Sequence, residues 1–303
     1  MPAPRVCFVT CLRWPEISAS DRLVQDALER RGVVVAARAW NDPAARFDGF
    51  DTVVLRSNWD YHWEVERFLG WLDGVEQAGA AIWNPPALVR WNVSKRYLLA
   101  LEAAGVPVVP SLVLGEGTPP ARLPALLASR GWPRAVVKPL VSASAHDTVL
   151  VTREEAPAVA RALEAGEIRG PALVQPFVEE IRSGGEWSLV FIDGVLTHAV
   201  LKRPAAGEFR VQLRFGGTAE ACAPPPDVAA AAARAMAALP VPPLYARVDG
   251  VATGPGFLIM ELELNEPGLF FVQAPEAAAR LAEAICRRLP IDPPPSGAGT
   301  RRE

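Results

Sequence analysis

The residues most suited to chemistry are gathered in 244–270, LYARVDGVATGPGFLIMELELNEPGLF. Two apolar runs, 244–250 and 257–264, flank a Gly/Pro turn and are predicted to pair as an antiparallel hairpin. Alternation puts Tyr245, Arg247 and Asp249 on one face of the first strand, and Glu261, Glu263 and Asn265 on one face of the second. The hairpin then converges Asp249, Glu263 and Asn265 into an oxygen-rich patch beside Arg247. Such a patch suits magnesium, which takes one or two carboxylates and fills its shell with substrate phosphates and water. An exposed, solvated strand face would show the same alternation. The adjacent Arg247 favours the metal, because packed carboxylates repel without a cation between them. So does the turn Asn265-Glu266-Pro267-Gly268 that follows.

A second group of residues could hold phosphates. Lys138 ends the apolar run AVVK, and a lysine there must reach an anion or solvent. The loop VSASA that follows is small and hydroxyl-bearing, with Ser142 and Ser144, and its backbone N–H groups could close over phosphates. It has no glycine, and a plain hairpin connection fits it equally well. Lys95 follows Asn92-Val93-Ser94 and reads on its own as a surface lysine, while Lys202 and Arg203 end a strand before Pro204. Neither a P-loop nor a dinucleotide fingerprint is present. His62, His146 and His198 are isolated, and no Ser-His-Asp or Cys-His set is found.

The elements that must position these groups fall into two textures. In the first third, strands at 5–9, 33–40, 51–56 and 81–83 alternate with helices at 20–31, capped by Ser20 or Asp21, and 64–78. That order implies a parallel, Rossmann-like sheet, with ligands beyond the carboxyl ends of its strands. Arg56, Ser57 and Asn58 stand at such an end and are the expected substrate contacts, Arg56 for a carboxylate. Trp59, one of seven tryptophans in this third, could wall the pocket. Asn84-Pro85-Pro86 reads as a breaker. Beyond it come helices at 94–104, 120–130 and 153–164 and strands at 108–113, 135–138 and 147–152. Strands at 172–175, 186–192, 195–201 and 209–215 follow, with helices at 226–238 and 276–288 around the hairpin. The Asp193-Gly194 pair marks a tight hairpin turn. The chain thus divides into an N-terminal unit at 1–92, a small lobe at 93–172, a larger lobe at 173–290 and a flexible tail at 291–303. The fold class is α/β in the first part and α+β in the rest.

The composition fits this plan. The 303 residues are half hydrophobic and carry a net charge of −3 with both signs interspersed, so a nucleic-acid partner is not expected and small molecules are. The four cysteines lack metal or disulfide spacing, and Cys7 and Cys11 are expected as buried thiols. No apolar run is long enough to span a membrane, so a cytoplasmic, reducing setting is the expectation.

Taken in order, these motifs resemble the ATP-grasp superfamily, in its glutathione-synthetase and D-alanine-ligase-like branch. The resemblance covers 92–288 and implies a two-lobed grasp fold behind the Rossmann-like unit. It implies that Lys95 in WNVSKRYLL and Lys138 in VVKP contact nucleotide phosphates, and that LVQPFVEEI, with Gln175, Phe177 and Val178, is the adenine hinge. It further implies Glu186 at the ribose, Arg247 at the reacting acyl phosphate, and Asp249, Glu263 and Asn265 on two magnesium ions. Lys202 or Arg203 would grip the transferring phosphate. The glycine-free loop at 141–147 and Gln175 in place of a glutamate depart from the branch. LRSNWDY, FLGWL and NPPALVRWNVSKRYL resemble a narrower group, which includes the ligase that closes the ring of D-cycloserine. The implied activity is ATP-dependent joining of a carboxylate to an amine, between molecules or within one, through an acyl phosphate. Similar enzymes are often dimers. A phosphotransferase on the same scaffold and a non-catalytic nucleotide-binding module are the competing readings.

Overall fold

Three β-sheets organise residues 2–143, 145–212 and 215–289, the residues that the computed structural model describes. The first sheet is parallel. Strands β1 (Arg5–Thr10), β2 (Val34–Ala39), β3 (Thr52–Leu55) and β4 (Ile82–Trp83) lie in the order β2-β1-β3-β4, with α1 (Ala19–Glu29) and α2 (Val65–Gln77) as crossovers. The apolar runs of β1 and β3 are nearly continuous because both faces are covered. Helix α1 is capped by Ser18 rather than by Ser20 or Asp21: the Asp21 N–H donates to Ser18 Oγ at 3.1 Å.

Two short helices lead away from this sheet, α3 (Pro86–Asn92) and α4 (Tyr97–Ala103). The prolines expected to break the chain instead start α3, since Pro86 occupies a first-turn position where its missing N–H costs nothing. The second sheet is antiparallel and contains β5 (Leu112–Leu114), β6 (Arg134–Pro139), β7 (Val149–Thr152) and β8 (Ala172–Pro176), with α5 (Leu123–Ser129) and α6 (Ala156–Glu164) packed against it. Its order is β5-β8-β6-β7, so β8 lies inside it and this lobe runs past residue 172.

The third sheet follows α7 (Glu180–Gly184). It holds β9 (Glu186–Ile192), β10 (Val195–Arg203), β11 (Thr218–Ala221), β12 (Tyr245–Thr253) and β13 (Gly256–Glu263), in the antiparallel order β11-β10-β9-β12-β13. Asp193 and Gly194 turn the β9–β10 hairpin with φ of 53° and 78°, the left-handed pair that a two-residue turn requires. No strand forms over residues 209–212. There the N–H groups of Phe209 and Arg210 donate to the Glu208 carboxylate, at 2.8 and 3.1 Å, instead of to a neighbouring strand. β11 takes that edge of the sheet.

Helices α8 (Pro226–Ala237) and α9 (Pro275–Cys286) complete the chain. The alanine-rich face of α8 packs under the third sheet, with Val228, Ala231 and Ala235 in one core with Ala246 and Val248. α9 covers the first sheet: Leu281 and Ile285 share a core with Val6, Phe8 and Leu28. The N-terminal and C-terminal parts are thereby tied together. Cys7 and Cys11 are buried and unpaired, as expected. Among the described residues no helix is long and apolar enough to cross a membrane. The tail at 291–303 lies outside the described residues.

Candidate functional site

The site is built on the β12–β13 hairpin. The register pairs Arg247 with Glu263 and Asp249 with Glu261, and a bulge follows at Asp249/Gly250. Only glycine fits after that bulge, because a Cβ on Gly250 would lie 2.5 Å from the Leu258 carbonyl oxygen. The result brings carboxylate oxygens of Asp249, Glu261 and Glu263 within 4.8 Å of one another. Asp249 and Glu263, two of the three predicted metal ligands, are thus brought together, with one addition. Glu261, read as part of the same face but not as a ligand, completes the cluster, whereas Asn265 lies just beyond the end of β13.

Cations are threaded through this cluster. Arg247 donates from Nε to both Asp249 oxygens at 3.0 Å and from Nη2 at 2.8 Å. It also binds Glu263 and the Gly268 carbonyl. Lys138 Nζ reaches Glu261 at 2.8 Å. Lys202 Nζ contacts Glu186 and lies 3.5 Å from Asp249. Ser188 donates its hydroxyl to Asp249 from the neighbouring strand β9, a contact that residue patterning alone did not single out. Gly185, with φ of 79°, lets β9 start close against β10: a Cβ there would sit 2.4 Å from the Lys202 carbonyl oxygen.

These contacts set the protonation states. Burial works against charge on Asp249, yet Arg247 and Lys202 outweigh it and hold the carboxyl down at about 2. Glu261 is likewise held at about 2, against burial, by Lys138 and Lys95. Glu263 goes the other way: burial, with Asp249 and Glu261 nearby, pushes it up to about 7 despite Arg247. Burial and the charge of Glu263 push Glu266 up to about 8. Lys202 stays above its ordinary range because Asp249 and Glu186 outweigh desolvation. Lys95 is lowered, chiefly by burial.

Strand β13 is an edge of its sheet, and side chains from residues 84–97, with the backbone of 107–109, satisfy its outer side. Asn92 donates to the Leu262 carbonyl at 2.8 Å and accepts from the Leu264 N–H at 2.9 Å. Asn84 donates to the carbonyls of Tyr245 and Leu264, and its Oδ1 accepts from the Leu244 and Tyr245 N–H groups. The Tyr97 hydroxyl accepts the Leu262 N–H at 3.1 Å. These buried side chains fix the strand that carries Glu261 and Glu263.

The cluster stands at one end of a cavity of about 760 Å³ between the second and third sheets. The volume lies within the usual range for a small-molecule site, roughly 300–1,000 Å³. At the other end lie Gln175, Phe177 and Val178, the predicted hinge. The Phe177 N–H is already donated to the Arg134 carbonyl at 3.1 Å, so this amide is not available for a base. The Phe177 ring is flanked by the guanidinium groups of Arg134 and Arg182, at 4.9 and 5.1 Å. Gln175 donates to Ser111 Oγ at 3.0 Å.

The remaining predicted residues divide. Lys95, Lys138, Ser142, Glu186, Lys202, Arg247 and Asp249 all line the cavity. Lys95 is not on the surface; it is 8% exposed and its Nζ donates to the Ser142 carbonyl at 2.6 Å. Ser144 lies outside the described residues. The glycine-free loop nevertheless turns with left-handed residues, Ala145 and Asp147, both at φ 54°.

Two expectations are corrected. Arg203 is half-exposed and pairs with Glu220 at 3.6 Å, off the cavity wall, because adjacent residues of β10 point to opposite faces. Arg56, Ser57 and Asn58 are fully buried and do not line the cavity. Arg56 is committed to Asp21 at 2.9 Å and to the Pro267 carbonyl at 3.0 Å, with its guanidinium over the Tyr245 ring. The loop after β3 offers Trp59 and Tyr61 to the cavity instead.

The cluster fits a magnesium ion. It supplies three carboxylates of hard oxygen, and the Asn265 Oδ1 behind them is buried without a hydrogen-bond partner among the described residues. A buried acceptor of this kind suits a cation or a bound donor.

Comparison with known proteins agrees with the geometry. Residues 6–84 match the N-terminal domain family of D-cycloserine synthetase DcsG, and residues 122–231 match the ATP-grasp domain of prokaryotic glutathione synthetase. The chain is 34% identical over 278 residues to the cycloserine biosynthesis protein DcsG of Streptomyces lavendulae, covering 87% of this chain and 92% of that one. It is similar to the crystal structure of D-cycloserine synthetase DcsG, with a TM-score of 0.84 and 30% identity over 94% of this chain and 99% of that one. D-alanine–D-alanine ligase from Bacillus anthracis, at 15% identity and a TM-score of 0.68 over 94% of this chain and 97% of that one, shares the fold. The chain belongs to the ATP-grasp family of ligases, alongside D-cycloserine synthetase, and is an enzyme that forms carbon–nitrogen bonds at the expense of ATP.

Proposed function

We propose that this enzyme activates the carboxylate of a small amino-acid-like acid as an acyl phosphate and then closes a ring onto a nitrogen of the same molecule. The observation that carries the reading is the convergence of Asp249, Glu261 and Glu263 within 4.8 Å, interleaved with Arg247, Lys138 and Lys202, at one end of a nucleotide-sized cavity. The relative named for cycloserine biosynthesis matches over nearly its full length, which supports ring closure over joining of two molecules.

Each residue has a role in this reading. Asp249, Glu261, Glu263 and Asn265 would hold two magnesium ions, which supply charge neutralisation of the phosphates when bound. Lys138 and Lys95 approach the phosphates, and Phe177, Val178 and Gln175 form the adenine end. Glu186 serves the ribose, as the resemblance implies, and keeps Lys202 charged and in place meanwhile. The substrate carboxylate attacks the terminal phosphorus and ADP departs. Arg247, held by Asp249, Glu263 and the Gly268 carbonyl, would offer its remaining Nη1–H and its charge to the oxyanion formed when nitrogen attacks the acyl carbon. Phosphate then leaves.

The test is ADP release from ATP with a panel of amino acids and amino-acid-like acids, singly and in pairs. Turnover with one compound alone, yielding a product lighter by one water, is expected; turnover that needs two compounds would replace ring closure with intermolecular ligation. A second measurement addresses Lys138. In Lys138→Met the ATP dissociation constant should rise about 10- to 100-fold, the loss of one charge-assisted contact. An unchanged constant by calorimetry would remove the lysine from the phosphate site.

A further inference from the structure

His62 and His146 stand far apart in the sequence, yet the fold sets their ring centroids 5.8 Å from each other. His62 lies in the short helical turn Tyr61–Trp63 beyond β3. It is 5% exposed, and neither of its ring nitrogens makes a well-formed hydrogen bond to a described residue. His146 belongs to the facing lobe, on the turn at 145–148 between β6 and β7. The Trp63 ring packs edge-on against it at 6.4 Å, and its Nδ1 lies 3.2 Å from Asp147. Ala145 and Thr148, on either side of His146, line the cavity. A second contact ties the same two parts together: Arg169, shortly before β8, donates to the His62 carbonyl at 2.9 Å.

A buried imidazole without firm partners is tolerated while neutral and costly once charged. The groups around His62 sharpen that asymmetry. Burial, His146, Arg169 and Lys95 oppose its charge, the Trp59 carbonyl favours it, and the balance lowers the imidazole to about 4. Asp147 is the acid beside His146, and Arg13 lies over the Trp63 ring at 4.6 Å. Glu64, next along the chain, is exposed and paired with Arg67. We propose that His62 and His146 are positioning residues: they clasp the 145–148 wall of the cavity to the N-terminal unit, and a proton taken up by His62 opens the clasp and weakens nucleotide binding. The inference rests on the reading of this wall as the phosphate side of the nucleotide site. Released, His62 titrates near its ordinary 6.5; clasped, it titrates near 4. The clasp is therefore at full strength above about pH 6.5 and weakens as pH falls toward 4, by about tenfold at pH 5.5. Nucleotide affinity falls with the clasped fraction.

The test measures binding of ADP with magnesium by calorimetry at pH 8 and pH 5.5. Between the two, the dissociation constant should rise about 3- to 10-fold more in the wild type than in His62→Phe, which keeps a ring in place and takes up no proton. His146→Ala, at a half-exposed position, should weaken ADP at pH 8 by about 2- to 10-fold with an unchanged Tm, the worth of one ring contact. The chain has three histidines, so proton NMR resolves each ring and substitution assigns it. In the ADP-bound wild type His62 should stay neutral down to about pH 5, and in His146→Ala it should titrate closer to 6.5. This arm decides the matter even where His62→Phe folds poorly. Equal pH dependence in a folded His62→Phe, or a His62 that titrates near 6.5 in the ADP-bound wild type, overturns the clasp and leaves the nucleotide site intact. Absence of ADP binding at pH 8 overturns the phosphate-side reading of this wall, and the role of the clasp with it.

Discussion

Glu263→Gln should reduce turnover by at least about 10³-fold while the protein stays folded, because it removes a metal-binding charge and keeps the shape. The stability result should run opposite to the activity result. Glu263 is pushed from the ordinary 4.5 up to about 7 by burial and by its carboxylate neighbours, so its charge is a burden on the metal-free fold. The sign follows from linkage. A carboxyl with a raised folded pKa favours the native state while protonated, and that contribution is lost as pH rises from about 4.5 through about 7. In metal-free protein at pH 8 the glutamine variant should therefore melt at the same temperature as the wild type or higher. Thermal melts at pH 5 and pH 8, set beside ADP release at pH 8, provide the check. Near-normal turnover, or a variant clearly less stable than the wild type at pH 8, would remove Glu263 from the metal cluster.

Arg56→Ala should be the most destabilising single change in the N-terminal unit. Asp21 and Arg56 are about 3% exposed in their side chains, and truncating the arginine strands a buried aspartate. Breaking such a pair costs about 3–5 kcal/mol, or a fall in Tm on the order of 10 °C for a chain of this size. The Pro267 carbonyl and the Tyr245 ring lose a partner in the same step. The acid KM per folded molecule should change little. Had Arg56 gripped the substrate, the acid KM would rise and Tm would hold. Thermal melts and Michaelis curves for the variant therefore decide between the two roles.

That contrast shows where reading the chain from residue patterns succeeds and where it stops. The hairpin face was legible because alternation is local: Arg247, Asp249, Glu261 and Glu263 follow from period two and one Gly/Pro turn. That Glu261 joins Asp249 and Glu263 was not, because it depends on the strand register and the bulge at Asp249/Gly250. Lys95 read alone as a surface residue, since its burial is created by Ser142, 47 positions away. Arg56 was misplaced for a similar reason. Its partners lie 35 and 211 residues distant, and a strand-end arginine looks the same whether it faces a ligand or a helix. Over residues 209–212 the expected strand failed on a local competition, the Glu208 carboxylate capturing two N–H groups that a ladder would need.

The stitching of β13 by Asn84, Asn92 and Tyr97 has an engineering consequence. The stretch 84–97 reads as a connector between units, yet it carries the groups that hold the carboxylate-bearing strand in register. An exchange of N-terminal units between relatives that cuts before residue 84 leaves the brace and the strand it serves with one parent. Moving the cut past residue 97 keeps donor and acceptor from one parent only if β13 is moved with it. The unit of inheritance in this enzyme is thus discontinuous: a connector and a distant hairpin that must be exchanged together.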